Sequence, residues 1–194
     1  MKFYDCFVVR IPKRINDTIT LKNGIELAVD NRFNEFDLRV NEAEVMYVPF
    51  KFDTGVNPGD TIYFHHLVVI NDGQPLSGEK DSYIVKYSEE HTINSQAFCY
   101  RPKGTDDIIP LSGWSILEPI EHEEEKKSDL IEVVSFEKKN TNKGRVAYHS
   151  DKLDEYGLKV GDVVGYKKNM DYVFKIDGKD YYRTRLEDLL YVEA

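Results

Sequence analysis

Short runs of β-branched and aromatic residues recur along the chain, separated by clusters of glycine, proline, asparagine and aspartate. Runs of this kind, spaced by roughly ten residues with turn signals between them, are typical of strands in a sandwich or barrel. Helical periodicity is weak, and the best helical candidate, residues 185–190, is too short to form a stable helix alone. We therefore predict an all-β chain. The predicted strands are residues 6–11, 45–48, 61–69, 82–87, 97–100, 114–117, 163–166, 172–176 and 181–184.

One turn is specified by its own residues. Asp177 and Gly178 separate the predicted strands 172–176 and 181–184. Both residue types tolerate the positive φ angles that a two-residue hairpin turn requires. The sequence therefore predicts a tight β-hairpin at this point.

The order of these strands occurs twice, which predicts a tandem repeat. Each copy has an opening strand, a long polar loop, a second strand, a Gly-Asp strand, a hairpin and a closing strand. A Gly-Asp pair before a strand sets a tight turn and implies no chemistry. The repeat predicts two domains, residues 1–109 and 110–194, of ordinary domain size. The matched segments are 5–12 with 113–120, 44–48 with 145–148, and 56–64 (VNPGDTIYF) with 158–166 (LKVGDVVGY).

Composition narrows the possible functions. The 194 residues are 41% hydrophobic and carry a net charge of −9, from 26 basic and 35 acidic side chains. No basic surplus is present to neutralise phosphates, so we expect no nucleic-acid partner and no anionic membrane partner. No apolar run approaches the roughly 18 residues of a spanning helix. Because the first residues lack a cleavage site and two cysteines cannot build a disulfide scaffold, we expect a cytoplasmic protein.

No catalytic or metal-binding motif is present. The chain lacks GxSxG, HExxH, Walker and GxGxxG patterns, so we expect no enzymatic activity and no cofactor. His65 and His66 fall in the predicted strand 61–69, where neighbouring side chains point to opposite faces. That placement argues against a shared metal ion. Cys6 and Cys99 lack the CxxC spacing of a zinc site, and we expect Cys6 to be a small buried hydrophobe.

Four segments of the second copy carry a family resemblance. They are 110–111 (PL) before a strand, 143–146 (KGRV), 158–164 (LKVGDVV) and the closing 186–194 (LEDLLYVEA). Together they resemble the GroES co-chaperonin family, which has a Pro-Leu strand, a (K/R)-G-x-V strand after a mobile loop, V-K-V-G-D-x-V, and a closing S-D-I-L-A-x-V-E. The resemblance implies two tandem GroES-like β-barrel domains.

The first copy matches the family more loosely. Pro58 stands where the family usually has valine, and residues 106–109 (DDII) fit as the closing strand of this copy. The connections 48–56 and 148–158 leave no room for the hairpin that roofs the bacterial ring. That shortness is similar to phage-type co-chaperonins, and the tandem form resembles the double-domain co-chaperonins of chloroplasts.

The resemblance implies a partner and an assembly. A co-chaperonin is a cap that binds a GroEL-type chaperonin and closes its folding chamber. In this family the closing strand of one subunit pairs with the opening strand of its neighbour, so we expect a homo-oligomeric ring. Whole two-domain chains cannot fill an odd number of ring positions, so either the domain count is even or one domain lies outside the ring. A phage-encoded protein of this kind would work in the host cytoplasm.

The resemblance also places the chaperonin contacts in the two polar loops. In the first copy, residues 22–29 (KNGIELAV) are similar to the family's G-G-I-V-L and put Ile25 and Leu27 at the contact. In the second copy, Leu130, Ile131 and Val133 follow the charged tract 121–129 (EHEEEKKSD). The alternation of apolar residues fits ordinary half-buried strands equally well in the first copy. The competing function is a non-enzymatic structural or assembly module, for example of a phage particle, because folds host unrelated functions.

Overall fold

A computed structural model describes residues 1–15, 18–21, 23–28, 38–69, 74–120 and 142–193. By the contacts between its residues, the chain forms two compact units, Met1–Trp114 and Ser115–Ala194. The described helices are α1 (Asp151–Glu155) and the 3-10 helices His66–Val69, Thr92–Asn94 and Leu186–Asp188. The strands are β1 (Cys6–Arg10), β2 (Thr18–Thr20), β3 (Glu26–Ala28), β4 (Glu42–Tyr47), β5 (Thr61–Phe64), β6 (Gln74–Pro75), β7 (Ser82–Lys86), β8 (Ala97–Arg101), β9 (Ile109–Pro110), β10 (Trp114–Pro119), β11 (Lys143–Val146), β12 (Val163–Tyr166), β13 (Tyr172–Ile176), β14 (Lys179–Arg185) and β15 (Leu189–Glu193).

The strands form two antiparallel sheets with the same strand order. The first sheet runs β6-β7-β1-β4-β5-β8-β9, and the second runs β13-β14-β10-β11-β12-β15. Each strand of the second sheet has its counterpart in the first six strands of the first sheet. A separate hairpin joins β2 to β3. The prediction of a nearly all-β chain is confirmed, and the repeated strand order of the sequence has a counterpart in the sheet topology.

The likeness of the two sheets extends to their irregularities. The pairing of β5 with β8 shifts register between Tyr63 and Phe64. The pairing of β12 with β15 shifts between Gly165 and Tyr166, which are the matching positions of the aligned segments. A β-bulge of this kind bends the strand and increases its local twist. The register shift therefore falls at the same point of the closing pair in both units.

The Gly-Asp turn of the first unit joins β4 to β5 through a closed set of hydrogen bonds. Gly59 has a φ of 94°, which an L-residue with a side chain rarely adopts. The Asp60 carboxylate accepts the amide N–H of Asn57 at 2.7 Å and that of Lys103 at 2.8 Å. Val45 donates its N–H to the Asp60 carbonyl and accepts the Gly59 N–H, both at 2.8 Å. The turn thereby fixes β4 against the start of β5.

The second unit repeats this turn at Gly161 and Asp162. Gly161 has a φ of 98°. The Asp162 carboxylate accepts the Lys159 N–H at 2.8 Å. Val146 donates to the Asp162 carbonyl and accepts the Gly161 N–H, both at 2.9 Å. The aligned residues of the two copies therefore share three of these hydrogen bonds, while the bond from the Lys103 N–H is made only to Asp60.

The predicted Asp177-Gly178 hairpin turn is confirmed, with φ angles of 51° and 80°.

Each unit buries its own apolar residues. The free cysteine Cys99 is buried and Cys6 is half-buried. The fully buried side chains of the first unit include Phe7, Val8, Val9, Val45, Ile62, Tyr63, Phe64, Val68 and Phe98. The second unit has a core cluster of Leu117, Val146, Leu153, Leu158, Val164, Tyr166 and Leu186.

The predicted strand 61–69 is wrong beyond Phe64. His66–Val69 forms a 3-10 helix, and the rings of His65 and His66 lie 4.5 Å apart rather than on opposite faces. The apolar run extends past the end of the strand because Val68 is buried although it lies in this helical turn and not in a strand. Its N–H donates to the His65 carbonyl at 3.0 Å. The helical candidate 185–190 is likewise reduced to the 3-10 helix Leu186–Asp188.

The predicted closing strand of the first copy, residues 106–109, is also wrong. The strand that pairs with β5 is β8, just as β15 pairs with β12. A 3-10 helix precedes each of these closing strands. Of the predicted residues, Ile109 belongs instead to β9, which pairs with the outer edge of β8. Topology, rather than the Asp-Ile-Ile pattern, identifies the closing strand.

The two Gly-Asp turns predict unequal effects of the same substitution. Asp60 is buried and satisfies two amide groups, whereas Asp162 is half-buried and satisfies one. Asp60→Ala should lower the free energy of unfolding by about 1–3 kcal/mol, and Asp162→Ala by less, because Asp60 loses two hydrogen bonds of a buried carboxylate and Asp162 loses one. Urea denaturation followed by circular dichroism measures both, with Trp114 fluorescence reporting on the first unit. An equal or larger effect of Asp162→Ala would contradict this account.

Candidate functional site

Loop 1, the connection between β1 and β4 (residues 11–41), carries the β2–β3 hairpin. Across its turn, Leu21 donates its N–H to the Ile25 carbonyl, and Gly24 donates to the Leu21 carbonyl, both at 2.8 Å. The Asn23 side-chain oxygen accepts the Ile25 N–H at 3.2 Å. Gly24 has a φ of 79°, in the left-handed region. Residues 18–21 and 23–28 of loop 1 therefore form a hydrogen-bonded hairpin.

One face of this hairpin is apolar and exposed. Ile25 and Leu27 are 53% and 48% exposed, and Leu21 lies across the turn from Ile25, also exposed. Alternation along a strand places Ile25 and Leu27 on the same face and Glu26 and Ala28 on the other. The half-buried strand that the alternation also allowed is not observed, because residues 23–28 are all exposed. We call Leu21, Ile25 and Leu27 the apolar face.

The base of loop 1 is held on the first sheet. Arg14 donates from Nε to the Tyr83 hydroxyl at 2.6 Å, and its guanidinium lies 5.1 Å from the centre of the Tyr83 ring. Val40 donates its N–H to the Arg14 carbonyl at 3.0 Å. Ile15 and Arg39 form an antiparallel bridge. The two ends of the loop are therefore joined to each other and to β7.

The second predicted contact segment occupies the same connection of the repeat. Leu130, Ile131 and Val133 lie outside the described residues, as does the charged tract. The flanking strands are described: Pro119 at the end of β10 pairs with Gly144 of β11. Loop 2, residues 120–142, therefore leaves and rejoins the second sheet at adjacent strands. Loop 1 does the same in the first sheet, because β1 pairs with β4.

The closing strands of the two units differ sharply in exposure. Leu190 and Val192 of β15 are 59% and 48% exposed. By the register of the closing pairs, their counterparts in β8 are Phe98 and Tyr100, which are 1% and 6% exposed. The apolar residues of β15 were included in the family resemblance, but their exposure could not be foreseen from the pattern alone.

The segment after β8 accounts for this difference. β9 pairs with the outer edge of β8, and Leu111 donates its N–H to the Phe98 carbonyl at 3.0 Å. The Trp114 ring packs edge-on against Phe98 with centroids 6.4 Å apart. Among the described residues, the outer edge of β15 has no paired strand. The exposed β15 strand is therefore an apolar edge of the kind that templates pairing with another chain.

Charged groups fix β15 from its inner side. The buried Asp188 carboxylate accepts from Arg185 Nε at 2.7 Å and from Lys167 Nζ at 3.0 Å. Lys143 of β11 forms an ion pair with Glu193 of β15, and this hydrogen bond raises the pKa of Lys143. These contacts tie both ends of the closing strand to neighbouring elements, so its apolar edge is held in a defined position.

The described residues offer no site for catalysis by a metal. Among them, no group of three or more histidine, cysteine, aspartate or glutamate residues is placed to hold an ion. Burial, followed by the charge of Arg39, lowers the pKa of His66. Within the same described ranges, no helix combines the length and apolar character needed to cross a membrane.

Comparison with known proteins adds no family assignment. Neither the models of protein families nor the curated proteins give a match to this chain.

The exposure of the apolar face predicts that its residues contribute little to stability. Ile25→Ala and Leu27→Ala should each change the free energy of unfolding by less than about 0.5 kcal/mol, as exposed substitutions do. The matched changes Ile62→Ala and Leu117→Ala, at fully buried positions, should each cost about 2–5 kcal/mol. Urea denaturation of the four variants measures the difference. A loss of several kcal/mol at Ile25 or Leu27 would mean that the hairpin packs against the sheet.

Proposed function

We propose that this protein is a co-chaperonin, a non-enzymatic cap that binds a GroEL-type chaperonin through loops 1 and 2 and closes its folding chamber. The observation that carries the proposal is the exposed apolar face of loop 1. Its Ile25 and Leu27 lie in the connection between β1 and β4, which the proposal takes as the mobile loop. The shared order of the two sheets supports the accompanying proposal of two tandem GroES-like β-barrel domains.

The chemistry of the hairpin suits reversible binding. Burying an aliphatic side chain contributes roughly 1.5–3 kcal/mol, so the apolar face can supply a modest affinity. Ordering and immobilisation oppose that gain, which keeps a single loop weak. Several loops in one ring bind together with a high effective concentration. The cap can therefore hold its chaperonin firmly and still dissociate when the loops are released.

A homo-oligomeric ring is part of the proposal, and the closing strands support it. We propose that a strand of a second copy covers the apolar edge of β15 as β9 covers β8. This arrangement follows the family's pairing of closing and opening strands, and it buries Leu190 and Val192. The assembled protein would work in the cytoplasm, or in the host cytoplasm if a phage encodes it.

One observation favours the alternative of a structural or assembly module. Tyr4 and Phe50 form an edge-on aromatic pair with ring centroids 5.3 Å apart, and both are more than half exposed. Lys51 lies 5.7 Å from the Tyr4 ring and forms an ion pair with Glu90 at 3.4 Å. Aromatic residues are enriched at protein interfaces. A module of this kind would use such a surface without contacting a chaperonin.

Substitutions in the loops test the chaperonin contact. The double variants Ile25→Asp/Leu27→Asp and Leu130→Asp/Ile131→Asp should each reduce ATP-dependent capture by GroEL-type chaperonin at least tenfold, and Val133→Asp should have a smaller effect. A charge desolvated in an apolar groove opposes binding. The control is Ala28→Asp, on the opposite face of the hairpin. If neither double variant weakens capture, the structural module is the better account.

Substitutions in β15 test the ring. Leu190→Asp/Val192→Asp should shift the protein from oligomer to single chains in analytical ultracentrifugation, because charges at a strand edge oppose pairing. Val173→Asp, at an exposed position of the β13 edge, is the matched control and should leave the oligomer intact. Near-ultraviolet circular dichroism verifies that each variant folds. A wild-type protein that is monomeric at high concentration would contradict the ring.

A further inference from the structure

We infer that the closing strands β8 and β15 are not interchangeable: each sheet accepts only its own closing strand, because size and charge are inverted at matching positions of the two units. The surface that accepts the strand is formed by β4 and β5 in the first unit and by β11 and β12 in the second. Proteins with similar repeated units are prone to exchange equivalent elements. The inference concerns strand pairing in the protein itself and does not depend on a chaperonin partner.

The first inversion is one of size, at the centre of the closing pair. In the first unit Tyr63 of β5 lies opposite Cys99 of β8, and both side chains are fully buried. In the second unit the large and small residues change places, because Gly165 of β12 lies opposite Tyr191 of β15. A Cβ built on Gly165 would overlap the ring of Tyr191. Each closing pair therefore combines one aromatic ring with one small residue.

The second inversion is one of charge, on the same face of the sheet. Lys143 of β11 pairs with Gly165 of β12 and forms an ion pair with Glu193 of β15. The strand registers give the positions of Lys143 and Glu193 to Glu42 and Arg101 in the first unit. At these positions the first unit has an acidic second strand and a basic closing strand, and the second unit has the opposite signs.

The two charges of the first unit lie close to its closing pair. The guanidinium of Arg101 is 6.0 Å from the centre of the Tyr63 ring. Burial raises the pKa of the Cys99 thiol well above its ordinary value, while the charge of Arg101 lowers that pKa and the charge of Glu42 raises it. Opposite charges on facing strands stabilise a sheet, and like charges destabilise it. The charge pattern, like the size pattern, therefore depends on which closing strand is present.

Exchange of the closing strands would be unfavourable in both directions. Placed on β5, β15 would set two tyrosine rings against each other and put two acidic side chains on one face. Placed on β12, β8 would leave the glycine without its covering ring and put two basic side chains on one face. Penalties against a wrong partner produce specificity in addition to the attraction of the correct one. The inversion therefore keeps each closing strand in its own unit while the chain folds and while copies associate.

The experiment transfers the pattern of the first unit to the second unit in the full chain. Tyr191→Cys/Glu193→Arg changes the closing strand, and Lys143→Glu/Gly165→Tyr changes the strands that accept it. The two double variants are made separately and then combined. Amide hydrogen exchange followed by NMR measures the opening of the β12–β15 pair. The unmodified β5–β8 pair of the same molecule is the internal control.

Each double variant should lose about tenfold or more of the amide protection in β12 and β15, because the pair is then mismatched in both size and charge. The combined variant should return to within about threefold of the wild type, since contacting residues are energetically coupled. Protection in β5 and β8 should not change. The inference would be overturned if the losses of the two double variants added in the combined one, or if either double variant were as protected as the wild type.

A test on charge alone covers the case in which Gly165→Tyr does not fold. Lys143→Glu and Glu193→Arg lie at partly exposed side chains, and each should lower the protection of β12 and β15 about two- to fivefold. The variant with both changes should recover the lost protection, because the ion pair is restored with its signs reversed. A double variant less protected than either single variant would overturn the inference.

Discussion

The carboxylate-to-amide hydrogen bond of the Gly-Asp turn is the constraint on which the rest of each unit depends. Asp60 and Asp162 each accept an amide N–H three residues earlier, and the preceding glycine takes the left-handed conformation that brings the chain round. Because each turn is also bonded to the strand before it, the register of the following strand is set from its first residue. The closing strand then pairs with that strand, and its bulge falls at the same place in both units.

The two units differ in what surrounds this shared arrangement of turn and strands. In the first unit the closing strand is covered by β9 and Trp114, so its aromatic residues are part of the core. In the second unit the corresponding residues of β15 are exposed at an edge that is held in place by Asp188 and Lys143. Loop 1 presents a second exposed apolar surface. Both surfaces carry exposed aliphatic side chains.

The sequence allowed most strands of the two sheets, the Asp177-Gly178 turn and the alignment of the two copies to be predicted, because each depends on local residue types and period-two alternation. It failed where tertiary contacts decide the outcome. The apolar run after Phe64 could be satisfied by a strand or by a buried turn, and burial of Val68 selected the turn. The closing strand of the first copy was misplaced because the short Asp-Ile-Ile pattern carries less information than sheet topology. Exposure of Ile25 and Leu27 depends on what covers a strand, which alternation does not encode.

Hydrogen exchange of the wild-type protein, with and without GroEL-type chaperonin and ATP, tests the central claim most directly. The account predicts that amide exchange slows on binding in two places, residues 18–28 of loop 1 and residues 128–134 of loop 2, while the core strands are unchanged. The amides of the Gly-Asp turns serve as internal references, because they lie outside both loops. Absence of protection in both loops when chaperonin and ATP are present would contradict the co-chaperonin function.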